Sequence, residues 1–281
     1  MKRALVLPGG GVAGIAWELR VLRGVQDADP GLESSVVAAD VVVGTSAGSA
    51  VAGQITSGNP LEDLYAAQLA PGSSEIEADF DMDDLIARFA SVADGATTAE
   101  EIRRRIGALA LATPTVEESA RRAAIAARLP VHTWPDRVVL LTAIEAETGE
   151  LTIFTRESGV PLVDAVAASC AVPGIWPPVT IDGHRYVDGG VRSGTNADLA
   201  AGSDRVLIIT PTPADGPSPW GDLEGEIERL RPADVRVVHA DAASVAAFGT
   251  NPLLPATRAP SARAGRELGR AQAAELARFW R

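Results

Sequence analysis

The chain has 281 residues, 46% hydrophobic and 22% charged, with 37 acidic against 25 basic side chains for a formal net charge of −12. Such a length and apolar content suit a soluble globular protein with a substantial core, and the negative balance argues against general binding to nucleic acid or to an anionic membrane surface. Cys170 is the only cysteine, which excludes an intrachain disulfide and points to a reducing, cytoplasmic setting.

The first residues, "MKRALVLPGGGVAGIAW", pair two basic residues with an apolar run. Pro8 and three glycines break that run after Leu7, too early for the apolar region of a signal peptide. No stretch approaches the roughly 18 apolar residues that span a bilayer. "RALVLPG" reads instead as a buried first strand. "AGIAWELRVLRGVQDA" then places Ile15, Leu19, Leu22 and Val25 at helical spacing. "VVAADVVVG" reads as a second apolar strand and leads into a small-residue helix, "SAGSAVAGQITSG". Strand, glycine turn and helix thus occur twice near the start, which implies crossover connections and a parallel sheet buried on both faces.

Residues 59–130 read as helical. Asn59-Pro60 looks like an N-cap followed by proline at the first helical position, and Thr98 with Glu101, and Thr115 with Glu118, fit capping boxes. "FDMDDLIARFASV" carries Leu85, Ile86, Phe89 and Val92 on one face beneath an acidic start that includes Asp83-Asp84. That stripe is expected to pack against the core, with a lid over an apolar site as the alternative. Strands return in "RVVLLTAIEAETGELTIFT" and in "VTIDGHRYVDGG", each a hairpin, the second turning at Asp182-Gly183. "DRVLIITPT" and "DVRVVHA" are two further strands, and the tail is a helix with Ser261 as its expected N-cap.

Three glycine-bearing motifs sit at strand ends. "GGGVAG", with Gly9, Gly11 and Gly14, satisfies Gly-x-Gly-x-x-Gly, but Glu33, the acidic residue at about the distance a dinucleotide loop requires, precedes the second apolar run. What remains is a set of bare backbone N–H groups at a helix N-terminus, able to stabilise an anion. "GTSAG" sets Ser46 between Gly44 and Gly48. This is the pattern of a nucleophile on a strand-to-helix turn, although a serine there could simply cap the helix. "DGG", residues 188–190, follows a hairpin. It needs no function as a turn, yet a partly desolvated aspartate held there could take a proton from a serine.

In their order and content, the three motifs resemble the patatin-like phospholipase family, the serine lipid acyl hydrolases, over roughly residues 4–213. The segment "ASCAVPGIWPPVTIDGHRYVDGG" adds to the resemblance. It implies an α/β fold, a three-layer α/β/α arrangement with a central, mostly parallel sheet, here one domain over residues 1–281 with a helical insertion at about 59–130. It further implies Ser46 as nucleophile, Asp188 as base, Gly44 and Gly48 shaping the nucleophile elbow, and the backbone N–H groups of Gly9, Gly10 and Gly11 as an oxyanion hole. No cofactor or metal is implied. The expected partners are a lipid or small ester substrate and transient contact with a membrane interface, and no nucleic acid. Ala13 stands where the family commonly carries Lys or Arg before the last glycine of the loop, which leaves oxyanion stabilisation to the backbone and the helix dipole.

Two other readings stay in view: a Ser-Asp-His triad esterase, with His239 as the natural third member because of its place after a strand, and a non-catalytic lipid-binding or interaction module on the same scaffold. His184 in a hairpin turn and His132 in a loop carry no expected chemistry. Cys170 is expected to be a compact buried hydrophobe rather than a nucleophile.

Overall fold

The computed structural model describes residues 1–70, 74–78, 80–215 and 222–281. Among these, eight strands build one sheet: β1 (Arg3–Leu7), β2 (Val41–Gly44), β3 (Val138–Glu145), β4 (Leu151–Phe154), β5 (Val179–Ile181), β6 (His184–Asp188), β7 (Arg205–Thr210) and β8 (Asp234–His239). Their spatial order is β5-β6-β3-β2-β1-β7-β8, with β4 also paired to β3. The run β3-β2-β1-β7-β8 is parallel, whereas β4 and β6 run antiparallel to β3, and β5 antiparallel to β6.

The apolar runs explain this arrangement. Along β1 and β2, Leu5, Leu7 and Val42 point into one apolar core, while Ala4, Val6, Val41 and Val43 point into the other. A strand apolar on both faces must be covered on both faces, and burying each larger side chain contributes about 1.5–3 kcal/mol. The covering helices, in chain order, are α1 (Gly11–Ala28), α2 (Pro30–Val37), α3 (Ala47–Ile55), α4 (Leu61–Leu69), α5 (Met82–Ala93), α6 (Ala99–Ala112), α7 (Glu118–Arg128), α8 (Leu162–Ser169), α9 (Leu223–Arg229), α10 (Ala242–Phe248) and α11 (Arg258–Trp280). The result is an α/β fold with a mostly parallel sheet between helices. No helix among the described residues is long and apolar enough to cross a membrane.

Helices α4–α7 occupy the chain between β2 and β3, where a helical block is expected; its residues 71–73 and 79 lie outside the described set. Several local expectations change. "VVAADVVVG" is not one strand: Val36 and Val37 end α2, which Asp29 caps by accepting from the Leu32 N–H at 2.9 Å, and only Val41–Gly44 is extended. Thr98 does cap α6. Thr115 does not cap α7, whose N-cap is Glu117; Glu118 instead accepts from the Thr180 N–H at 2.7 Å. Pro60, rather than Asn59, is the N-cap of α4. Helix α11 starts at Arg258, so Ser261 is a buried residue inside it.

Candidate active site

Strand register brings the three motifs together. Leu7 on β1 lies opposite Gly44 on β2, Gly44 lies opposite Leu141 on β3, and Ala143 on β3 lies opposite Asp188 on β6. The glycine loop, the Ser46 turn and the Asp188 turn therefore occupy neighbouring positions at the carboxyl ends of the parallel strands, where open α/β sheets form their clefts.

Ser46 sits between β2 and α3 with φ 52° and ψ −116°. A non-glycine residue held there stores on the order of 1–3 kcal/mol of strain and persists only where its surroundings fix it. Here they do. Its N–H donates to Ser169 Oγ at 2.9 Å, and its carbonyl accepts from Ser49 Oγ at 2.6 Å and Cys170 Sγ at 3.1 Å. No side-chain bond caps α3, so the Ser46 hydroxyl is not spent on the helix terminus. Gly44 and Gly48 let the turn close: a β-carbon on Gly48 would lie 1.8 Å from the Leu7 carbonyl oxygen, and one on Gly44 2.8 Å from the Gly48 carbonyl oxygen. Burial pushes the Cys170 thiol above its ordinary range, consistent with an inert group beneath the turn.

Asp188 is 4% exposed. Its Oδ1 accepts from the Gly190 N–H at 2.7 Å, while Oδ2 is buried without a hydrogen-bond partner. Burial raises its pKa to about 7, against the opposing pull of the Ser46 hydroxyl, the Gly190 N–H and the Arg121 charge. The serine is thus close enough to bias the carboxylate, but the two form no well-directed hydrogen bond.

Arg121 on α7 is itself buried, stacked 3.8 Å from the Trp176 ring centre and 3.9 Å from Glu75. Glu75 also receives two bonds from Arg128, at 2.7 and 2.6 Å. Burial lowers the Arg121 pKa to about 9, so it stays a cation at neutral pH.

The glycine loop faces Ser46: a β-carbon on Gly9 would stand 3.5 Å from the Ser46 Cβ. One expected oxyanion donor is already engaged. The Gly9 N–H donates to the Gly194 carbonyl at 2.9 Å and is therefore occupied. Among the described residues the Gly10 and Gly11 N–H groups make no hydrogen bond, and they open α1, whose N-terminus has no side-chain cap. Ala13 is fully buried, so this helix start offers backbone groups and dipole only.

Ser46, Asp188 and Gly9–Gly11 all border one cavity of about 880 Å³. Helix α5 supplies Met82, Leu85, Ile86 and Phe89 to its wall, and Leu85 and Phe89 at the same time pack on Ile106 of α6. The stripe expected to face a core therefore does so while also lining the site. Asp83 and Asp84 follow the N-cap Asp81, which accepts from both of their N–H groups. His239 borders the cavity too, but its Nδ1 bonds the Thr212 carbonyl at 3.1 Å. It ends β8, three strand spacings from β2, or roughly 14 Å. His184 pairs with Glu145 at 2.7 Å and His132 bonds the Ala126 carbonyl at 3.0 Å, both exposed.

Motif reasoning missed the residues that hold the turns in place. Asn196, fully buried with φ 48°, donates through Nδ2 to the Ser193 carbonyl (2.7 Å), Thr45 Oγ1 (3.1 Å) and the Gly189 carbonyl (3.3 Å). It thereby ties the Asp188 turn to the residue before Ser46. The one local signal was an asparagine in a turn-rich stretch, a residue that tolerates left-handed backbone.

Residues 5–201 match the family model described as patatin-like phospholipase. Among solved structures, the chain is similar to VipD from Legionella pneumophila, at 12% identity and a TM-score of 0.47, covering 98% of this chain and 66% of that one. It is also similar to the type III effector protein ExoU, at 17% identity and a TM-score of 0.42, covering 98% of this chain and 53% of that one. The chain thus spans less than two thirds of the length of either. A comparison with curated proteins finds no match. With 5–201 matched, the chain belongs to the patatin-like phospholipase family.

Proposed function

We propose that the protein hydrolyses carboxylic esters of lipids through an acyl-enzyme on Ser46, with Asp188 as the base. The observation that carries this reading is Asp188 Oδ2, buried without a partner beside a serine on a strained turn. A carboxylate with a pKa near 7 is a better proton acceptor than an ordinary aspartate, yet still half-ionised at neutral pH.

Asp188 takes the hydroxyl proton as Ser46 Oγ attacks the acyl carbonyl. The oxyanion forms towards the Gly10 and Gly11 N–H groups, where one well-placed donor is worth about 2.7–4 kcal/mol to the transition state. Collapse of the tetrahedral intermediate breaks the ester bond, and Asp188 returns the proton to the departing alcohol. Water, deprotonated by Asp188, then attacks the acyl-enzyme and releases the carboxylic acid and Ser46.

The apolar wall from α5 suits an acyl chain. Asp188, Asp222 and Glu224 border the cavity, and no Lys or Arg does among the described residues. With a net charge of −12, this favours neutral lipid or soluble esters over anionic ones, met by transient contact with a neutral lipid interface. Hydrolysis of p-nitrophenyl acyl esters tests the assignment. Ser46→Ala and Asp188→Asn should each abolish turnover by about 10³-fold or more, while His239→Ala keeps most of it. Loss on His239→Ala with Asp188→Asn active would establish a histidine base instead.

A further inference from the structure

Glu226 is a charged residue on α9, 2% exposed, and α9 lies beyond the stretch that matches the family model. Its Oε2 accepts from Thr195 Oγ1 at 2.5 Å and from the Ala197 N–H at 2.8 Å. Those two residues flank Asn196 and follow Gly194. Gly194 in turn accepts the Gly9 N–H at 2.9 Å, and Asn196 Nδ2 reaches Thr45 and Gly189. One buried carboxylate thus grips the segment from which bonds run to the glycine loop, the Ser46 turn and the Asp188 turn.

An ionisable side chain is costly to bury and is retained where its oxygens are used. Here both bonds converge on one oxygen and span three consecutive residues, so the segment can neither slide nor rotate without breaking one of them. A β-carbon on Gly9 would touch both the Ser46 Cβ, at 3.5 Å, and the Gly194 carbonyl oxygen, at 3.7 Å. A shift of Gly194 would therefore carry Gly10 and Gly11 away from the point where the oxyanion forms, and a misplacement of about 1 Å can lower a rate 10²-fold.

Resting on the reading of Ser46 as nucleophile, we propose that Glu226 is a positioning residue for the oxyanion loop: through Thr195 and Ala197 it fixes Gly194, which fixes Gly9 and so aims the Gly10 and Gly11 N–H groups at the reacting carbonyl. Glu226 itself does not border the cavity, so its effect falls on the transition state and not on substrate binding.

The test compares Glu226→Ala, Glu226→Gln and Thr195→Val with wild type on a soluble p-nitrophenyl ester, alongside the affinity of a trifluoromethyl ketone that adds to serine and mimics the tetrahedral intermediate. Glu226→Ala should lower kcat about 10- to 100-fold with KM within about twofold, and weaken ketone binding in parallel. Glu226→Gln, whose amide oxygen can accept both bonds, should recover most of kcat. Thr195→Val, which removes one bond and keeps the side-chain shape, should show a smaller loss of the same kind; it decides the matter if Glu226→Ala does not fold. Variants with wild-type kcat and ketone affinity, or a loss confined to KM, would overturn the proposal while leaving the serine hydrolase reading intact. A wild type that neither hydrolyses esters nor binds the ketone would remove that reading, and the proposal with it.

Discussion

Asp188 holds one oxygen against the Gly190 N–H and leaves the other buried and unpaired, an arrangement that favours its protonated form. Its folded pKa, about 7, lies above the value of about 3.9 expected in an unfolded chain. The stability it contributes is therefore complete below pH 4 and declines as the pH rises through 7. On the proposed mechanism catalysis runs the other way, because only the carboxylate can accept the serine proton. The value of kcat/KM should rise about tenfold per pH unit on the acid side and level off above pH 7, and His239→Ala should preserve that profile. Asp188→Asn should be inactive yet more resistant to thermal unfolding than wild type at pH 8. A rate that is flat between pH 5 and 8, or an acid limb that disappears with His239, would show that the titrating base is not Asp188.

Helix α5 does two things with one apolar stripe, and they can be separated. Leu85 and Phe89 are each 6% exposed and packed on α6, whereas Ile86 is half-buried and faces the cavity. Ile86→Trp should leave Tm within about 2 °C of wild type and lower kcat/KM for long acyl esters about tenfold relative to short ones. Equal loss on both would mean that the acyl chain does not lie along α5.

The same helix shows how far sequence pattern carries at this scale. Its periodicity and its acidic start were legible, but which neighbours share the stripe depends on tertiary packing. Strands β1, β7 and β8 were legible as short apolar runs, and β3 as one arm of a hairpin. The helix α2 was not, because Val36 and Val37 join β2 in one apolar stretch that periodicity cannot divide; the Asp29-Pro30 pair was the signal for a helix start. Helix α11 starts four residues before the place that a Ser261 cap implies, for a related reason. Ser261 has the chemistry of a cap, but its position among buried contacts was decided by packing.

Across the whole molecule, the parallel strands set three loops side by side, and each loop brought a motif that is ambiguous alone and recognisable only with the other two: Gly9–Gly11, Ser46 and Asp188. What pattern could not show is the framework between them. Ser169 lies 123 residues from Ser46, Asn196 lies 151 from Thr45, and Glu226 lies 31 from Thr195. Contacts at such separations leave no local trace in one sequence. The chain's net charge of −12 and a cavity without Lys or Arg among its described residues act at the same scale, and they underlie the proposal that neutral esters are preferred to anionic ones. The most direct measurement of the central claim is the mapping, by peptide mass spectrometry, of the adduct formed with a fluorophosphonate. A single adduct on Ser46 is expected, formed much more slowly in Asp188→Asn, unchanged in His239→Ala and absent from Ser46→Ala. An unlabelled wild type, an adduct on another residue, or equal labelling of Ser46→Ala would contradict it.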